Sequence, residues 1–400
     1  MHNHSSLHFN LQNGILGETR PVLVCFSHLR WAFVFQRPQH LMSRAVQNHS
    51  VFFFEEPLFE ADVVPRLQYQ RDPSGVTVVT PVLPYDLPAD NVLTAQQELL
   101  DALLLPFSGR PLVTWYYTPI ALGFSAHLRP DTCVYDNMDE LSAFRGAPHR
   151  LLELEEELFQ RADVVFAGGQ SLYQAKRLKH SNIVAFPSSI DAAHFCKARH
   201  GEADPNDQRG TPRPRLGFFG VIDERMDLHL VDQIAAKRPQ WHFMMIGPVV
   251  KIDPASLPRR ANLHWLGSKP YDELPRYLSG WDVGIMPFAI NEATRFISPT
   301  KTPEFLAAGV PVVSTPITDV VRTYGYTGLV EIAGNAHDFV LKAGLLLVRS
   351  RSAWLERVDQ HLSGMSWDKT WDAMEQRMRN ALLADRLLPA SLQQMEGIRV

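Results

Sequence analysis

The sequence predicts an α/β protein built from two Rossmann-like, doubly wound domains. Three observations carry that reading. Near the start, Pro21–Phe26 is a compact apolar run, a helix from Gln39 places Leu41, Met42 and Ala45 on one face, and Val51–Phe54 is apolar again. Strand, loop, helix, strand in that order opens a doubly wound domain with a buried parallel sheet. Midway, Lys197–Arg215 is polar, contains Gly and Pro, and has almost no large apolar side chains. Such a stretch reads as an inter-domain linker. Directly after it, Leu216–Gly220 begins a second series of alternating strands and helices.

The bulk properties narrow the function classes. Four hundred residues suit two or three domains at ~150 residues each. A net charge of −4 gives no reason to expect a nucleic-acid binder. Cys25, Cys133 and Cys196 lack metal-ligand spacing and read as structural thiols of a reducing compartment. No basic segment followed by an apolar run marks the N-terminus as a secretion signal, and no window approaches ~18 consecutive apolar residues. A cytoplasmic protein is therefore expected. Residues 1–19, with His2, His4 and His8, read as a disordered polar tail. No Gly-x-Gly-x-x-Gly follows the first strand, which argues against a nicotinamide dehydrogenase.

In chain order, the loop Ser27–Pro38 is rich in aromatic and polar groups: Trp31, Phe33, Phe35, Gln36 and Arg37. Val76–Val79 and Leu112–Tyr116 continue the strand series, with a helix over Leu93–Leu105 between them. Cys133–Tyr135 is a strand followed by an acidic cluster, Asp136, Asp139 and Glu140. Ligands bind beyond the C-terminal ends of strands in open α/β sheets, and crowded carboxylates raise one another's pKa. A plain alternative is that Asp139 or Glu140 caps the next helix. Leu151–Ala162 is a helix with an acidic, solvated face, and Val164–Ala167 a strand. Gly168-Gly169 forms a flexible turn before a helix from Ser171 bearing Lys176, Arg177 and Lys179. Those cations could meet anionic lipid or simply face water.

In the second half, strands are expected over Trp241–Ile246, Leu263–Gly267 and Val283–Phe288, with a helix over Tyr271–Leu278. Helices over Phe339–Leu347 and Trp354–Leu362 precede a final amphipathic helix from Ser366, with Trp371, Met374 and Met378 on one face. The central stretch is Ser298–Ser314. Ser298 and Thr302 are both N-cap types followed by proline, so a tight turn at Pro299 and a helix from Pro303 are expected, ended by Gly309. The free N–H groups of such a helix end, with Lys301 beside them, suit a phosphate. Glu304, one turn on, can accept hydrogen bonds from sugar hydroxyls. The plain alternative is a surface helix with solvated charges.

The Ser298–Ser314 run, with Lys301, Glu304 and Ala308-Gly309-Val310-Pro311-Val312-Val313, resembles the donor-binding segment of GT-B-fold glycosyltransferases. It is similar to the large retaining family of bacterial surface polysaccharide and glycolipid synthesis, the glycosyl transferases group 1. The segment Trp31–Leu41 resembles a cleft-facing signature of one branch, and Tyr135–Glu140 and Phe186–Asp191 fit the same pattern. The resemblance implies two domains facing a cleft, with the C-terminal helix returning to the first domain. The division is then 20–195 with 366–385 for the N-terminal domain, 196–215 for the linker and 216–365 for the nucleotide-sugar domain. It implies that Lys301 and Arg225 meet the diphosphate, Glu304 the ribose, and Gly220 and Leu266 the nucleotide through backbone. Asn291, Glu292, Ser298 and Thr300 complete the donor set. Asp136, or in its place Asp139, faces the sugars, and Trp31, Gln36 and Arg37 face the acceptor or phosphate. The family's pair of glutamates with seven residues between them is broken, because Phe296 stands eight residues before Glu304. The expected activity is transfer from a nucleotide-diphospho-sugar, UDP-linked, to a glycan or lipid-linked acceptor. Peripheral membrane contact is possible and no metal is expected, since Asp-x-Asp is absent. A GT-B-fold sugar-nucleotide epimerase and a non-catalytic nucleotide-sugar-binding subunit remain the alternatives.

Overall fold

The computed structural model describes residues 19–387, so the expectations for the N-terminal tail through residue 18, and for the stretch beyond Leu388, lie outside the described residues. Two sheets organise the chain. The first contains β1 (Val22–Ser27), β2 (Ser50–Glu55), β3 (Leu58–Glu60), β4 (Arg66–Arg71), β5 (Thr77–Pro84), β6 (Leu112–Tyr116), β7 (Thr132–Asn137), β8 (Val164–Ala167) and β9 (Ile183–Ala185). Its order is β3-β5-β2-β1-β6-β7-β8-β9, and β4 pairs antiparallel with β5. The second contains β10 (Arg215–Phe219), β11 (His242–Ile246), β12 (Leu263–Gly267), β13 (Val283–Met286), β14 (Val312–Ser314) and β15 (Val330–Ile332). Its order β12-β11-β10-β13-β14-β15, all parallel, is the 3-2-1-4-5-6 winding of a Rossmann sheet.

The continuous apolar strands follow from burial on both faces. Cys25 lies opposite Phe53 and Trp115 in register. With Leu23, Val51 and Val113 these side chains enter one core cluster. Their neighbours Val22, Val24, Phe26, Phe52, Phe54 and Tyr116 enter the cluster on the opposite face. Successive residues of a strand point to opposite sides, so a strand covered on both sides has no polar face to display. The helices that do the covering include α1 (Arg37–Ala45), α2 (Ala89–Leu104), α3 (Leu151–Arg161) and α4 (Gln170–Lys176).

Residues on both sides of residue 196 pack against the second sheet. Ile190, Phe195 and Ala198, on and around α5 (Ala192–Cys196), pack in one cluster with Phe219, Trp281 and Phe305 of the second domain. The polar linker is also not free. Gln208 is fully buried, accepts the Trp281 indole N–H at 2.7 Å and donates to the Tyr277 carbonyl at 3.1 Å. In the second domain, the helices used below are α6 (Leu228–Lys237), α7 (Leu274–Ser279), α8 (Lys301–Ala307), α9 (Ala336–Val348) and α10 (Ser352–Leu362). The last helix, α11 (Trp367–Leu387), returns to the first domain as expected. Its Trp367, Trp371, Met374 and Met378 join the cluster under β1, β2 and β6. Asp368 pairs with Arg44 at 2.6 Å, and Glu375 accepts from Asn48 at 3.0 and 3.1 Å.

Local differences from the sequence reading have simple causes. The α8 helix starts at Lys301, not Pro303: its N-cap is Thr300, and the Thr302 hydroxyl is buried against the Met286 sulfur at 3.4 Å. The α1 helix starts at Arg37, because Gln36 and Gln39 form a reciprocal capping box around its first turn. The edge strands β3 and β4 carry mixed polar and apolar residues, so no apolar run announces them. Gly168 and Gly169 serve close approach, not flexibility: a Cβ on Gly168 would lie 2.5 Å from the Met138 carbonyl oxygen.

Candidate active site

In each sheet the chain order reverses at the first strand, between β1 and β6 and between β10 and β13. The crevice outside the C-terminal ends of strands at such a reversal is where open α/β sheets hold ligands. Here the two crevices face one another across the domain junction. One wall of the cleft is Val34, Gln36 and Arg37 after β1, Met138 and Asp139 after β7, and Ser188. The other is Phe218, Gly220 and Arg225 around β10, with Phe288 and Ser298, Thr300 and Lys301. The cleft continues between Trp31, Phe35, Gln39 and Asp72 on one side and Gly247, Ser268, Lys269 and Tyr271 on the other, with Val34, Gly220 and Lys301 common to both parts.

The cationic side is preorganised. Lys301 Nζ lies 3.2 Å from Glu304 Oε2, 3.2 Å from Thr300 Oγ1 and 5.2 Å from the centre of the Phe219 ring. Gly220, at φ +141°, lies under the Lys301 stem, where a Cβ would already be in contact with it. The Arg225 guanidinium donates to both oxygens of Asp223, at 2.7 to 3.1 Å. Burial pulls the Arg225 pKa down, and the Asp223 carboxylate more than reverses this. Arg225 and Lys251 both lie over the Phe144 ring, 5.4 and 5.1 Å from its centre, joining the two domains at the cleft mouth. Asp139 faces these cations. Burial pushes its carboxyl up to about 6, while Arg225 holds it down and Asp223 adds to the rise.

Several sequence-expected residues take other places. Asp136 does not face the cleft. It is fully buried, and the Arg37 guanidinium, itself 3% exposed, donates to it at 2.8, 2.9 and 3.1 Å. Arg37 also donates to the Phe186 carbonyl at 2.7 Å, so only part of its side chain borders the cleft and it is neither a surface group nor free for an anion. Asn291 and Glu292 are exposed and turned to local work: Asn291 caps the turn at Thr294, and Glu292 pairs with Arg295. Leu266 packs against the core behind the cleft. Trp31 does border the cleft, with its indole N–H donating to Asp72 at 2.8 Å. Of the three cations expected on the helix from Ser171, two lie past the end of α4; Lys176 is buried between Glu140 and Glu155, at 2.7 Å from each, and Lys179 pairs with Glu156. Only Arg177 of the three is left for a lipid surface by these pairings.

Sequence reasoning missed Asp223, Phe144, Tyr271 and Asp319. Asp223 carried a readable signal, since a carboxylate two residues before an arginine can clamp it. Asp319 carried none. It crosses the domain junction to accept the Ser171 backbone N–H at 3.0 Å, beside Gly169, where a Cβ would collide with Asp319 and lie 2.8 Å from Ser298 Cβ.

Comparison with known proteins agrees with this geometry. Residues 213–348 match the family described as Glycosyl transferases group 1. A Bacillus subtilis (strain 168) protein, named as a teichuronic acid biosynthesis glycosyltransferase, is 28% identical over 226 residues, 52% of this chain and 56% of that protein. The chain thus spans about half the length of the curated relative it matches. Among solved structures, sucrose-phosphate synthase from Thermosynechococcus elongatus has a TM-score of 0.67 at 13% identity, covering 91% of this chain and 100% of that one. An E. coli trehalose-6-phosphate structure bound with UDP-2-fluoro glucose has a TM-score of 0.65 at 13% identity, covering 89% and 98%. Two facing Rossmann-like sheets with a returning terminal helix define the class of fold, GT-B. Within that fold, residues 213–348 are similar to the glycosyl transferases group 1. Among the described residues no helix is long and apolar enough to cross a membrane.

Proposed function

We propose that the protein moves a sugar from a nucleotide-diphospho-sugar, UDP-linked, to a glycan or lipid-linked acceptor of cell-surface polysaccharide synthesis, with retention at the anomeric carbon. The observation that carries this reading is the convergence of Lys301 and Arg225 on one wall of a cleft whose other wall holds Asp139. As the sugar leaves, negative charge grows on the diphosphate. Lys301 and Arg225 stand fixed where that charge would develop, and preorganised donors in a half-enclosed site act without reorganising. In this reading they do so in place of a metal ion, in keeping with the lack of Asp-x-Asp in the sequence. Asp139 takes the part expected of Asp136. A carboxyl poised near 6 can take the acceptor hydroxyl's proton at neutral pH. Closure of the Phe144 and Gly169–Asp319 contacts would shut water out of the cleft.

The UDP-2-fluoro glucose in one structural neighbour and the teichuronic acid name of the sequence relative support the donor and acceptor classes. The test is thermal stability with UDP, GDP, ADP and dTDP, on wild type and Lys301→Ala. A ligand at about a hundred times its dissociation constant adds roughly 2.7 kcal/mol. The expected result is stabilisation by UDP that Lys301→Ala abolishes. Stabilisation by none of the four, or nucleotide release from UDP-sugars without any acceptor, overturns the transferase reading.

A further inference from the structure

Lys176 closes a ring of buried polar groups behind the turn that carries Asp139. It is the last residue of α4, it is 6% exposed, and it does not line the cleft. Its ammonium lies 2.7 Å from Glu140 Oε2 and 2.7 Å from Glu155 Oε2. The Tyr135 hydroxyl donates to Glu155 Oε1 at 2.9 Å. Asn137 Nδ2 donates to the Tyr135 oxygen at 2.8 Å and to the Asp139 carbonyl at 3.0 Å. Ser142 Oγ donates to Glu140 Oε1 at 2.7 Å, so all four oxygens of the two glutamates are used. The ring thus begins on the carbonyl of Asp139 and ends on the side chain of the next residue.

The protons fix the direction of each bond. Burial and the Glu155 carboxylate push the Tyr135 pKa well above the ordinary phenol value, so Tyr135 keeps its one proton and gives it to Glu155. Its oxygen must then accept from Asn137. Both Asn137 amide protons are spent this way, and the amide oxygen goes unpaired to allow it. Burial lowers the Lys176 pKa, and the two glutamates outweigh that, so the ammonium stays charged. The far side of the turn is gripped by backbone. Gly168 donates its N–H to the Asn137 carbonyl at 2.8 Å. Among the described residues no hydrogen bond holds the Asp139 carboxylate itself, so its aim is set by its backbone.

We propose that Lys176, acting through Glu140 and with Asn137 at the other end of the ring, is a positioning residue that holds the Asp139 carboxylate at the cleft wall opposite Arg225. This rests on the reading of Asp139 as the group that takes the acceptor's proton. The charges that face Asp139 are Arg225, Asp223 and Lys251 of the second domain and Arg37 of the first, and none of them belongs to the ring.

The experiment follows the Asp139 carboxyl by carbon-13 NMR, its signal assigned by loss in Asp139→Asn. Glu140→Ala cuts the ring beside the turn and leaves Lys176 and Glu155 as a one-to-one pair, so the fold is kept, and a single cooperative melt confirms it. Glu140→Gln drops the charge but keeps an oxygen for Lys176, which separates position from charge. Wild type should titrate at about 6. Glu140→Ala should titrate about one unit or more lower, as the freed turn lets water reach the carboxyl, and Glu140→Gln within about half a unit of wild type. Lys176→Met with Glu155→Leu removes the anchor as a pair and should repeat Glu140→Ala. UDP affinity of Glu140→Ala, read by calorimetry, should stay within about twofold of wild type, since Lys301 and Arg225 lie in the other domain. The proposal is overturned if Glu140→Ala or the double variant titrates as wild type does, or if Glu140→Gln shifts as far as Glu140→Ala. It is also overturned if Glu140→Ala loses UDP binding along with the shift, since the damage would then not be confined to the turn. If wild type binds no UDP, the nucleotide-sugar reading fails, and that failure is seen in the calorimetry alone, before any titration is compared.

Discussion

Arg37 and Asp136, ninety-nine residues apart, form a buried two-pronged ion pair with contacts of 2.8 to 3.1 Å. It ties the first turn of α1 to the end of β7, the two places from which Gln36 and Asp139 reach the cleft. The pair is therefore a strut of the site, not part of its chemistry. Burial alone would lower the Arg37 pKa, and Asp136 outweighs it, so the guanidinium remains charged.

Removing one partner leaves a buried charge without compensation. Arg37→Ala should destabilise the protein by about 3–5 kcal/mol in urea unfolding. Arg37→Met with Asp136→Leu should recover most of that loss, since a packed apolar pair needs no compensation. A mild effect of Arg37→Ala would mean that water reaches Asp136.

Asp139 links stability to pH. Its carboxyl titrates near 3.8 when unfolded and near 6 when folded. The folded state then binds the proton more tightly, so the group costs stability fully above pH 6 and not at all below about pH 4. Asp139→Asn should stabilise the protein at pH 7.5 by about 2 kcal/mol, allowing for partial contact with solvent. The gain should shrink as pH falls towards 4, and thermal melts at both pH values check it. Transfer by wild type should rise with pH through about 6, and Asp139→Asn should lose that rise together with most of the activity.

Gly169 sets how closely the domains meet. A methyl group there would collide with Asp319 and crowd Ser298. Gly169→Ala should cost about 1–3 kcal/mol of closure, and nucleotide affinity should fall about tenfold or more. Titration with UDP, beside scattering measurements of the open and closed shapes, reads both. Unchanged affinity would show that donor binding does not need this contact.

The returning helix is a structural part of the first domain. Trp371 is fully packed against the face holding Trp115, ring centroids 6.0 Å apart. Trp371→Ala should cost about 3–5 kcal/mol. Its melting should show the first domain unfolding earlier, while the second domain, whose cores do not include Trp371, keeps its own transition.

The residues themselves determined a good deal about this protein. Apolar runs such as Val22–Phe26 and Phe243–Ile246 exist because parallel strands are covered on both faces, so they are visible without any structure. The run Ser298 to Ser314 was legible as a short helix, a glycine stop and a buried strand, because capping residues, Gly309 and the apolar Val312-Val313 are local chemistry at fixed spacing. The amphipathic stripe of Trp371, Met374 and Met378 announced a helix that needed a partner.

What only the tertiary structure decided is which charges are spent on one another. Asp136, Asp139 and Glu140 look alike in sequence. Folded, the first belongs to Arg37, the third to Lys176, and the second is left facing Arg225 across the cleft. Pairing across 99 residues, or across a domain junction as between Asp319 and Ser171, leaves no periodicity and no spacing to read. It depends on burial, and burial is a property of the packed molecule rather than of any stretch of the chain.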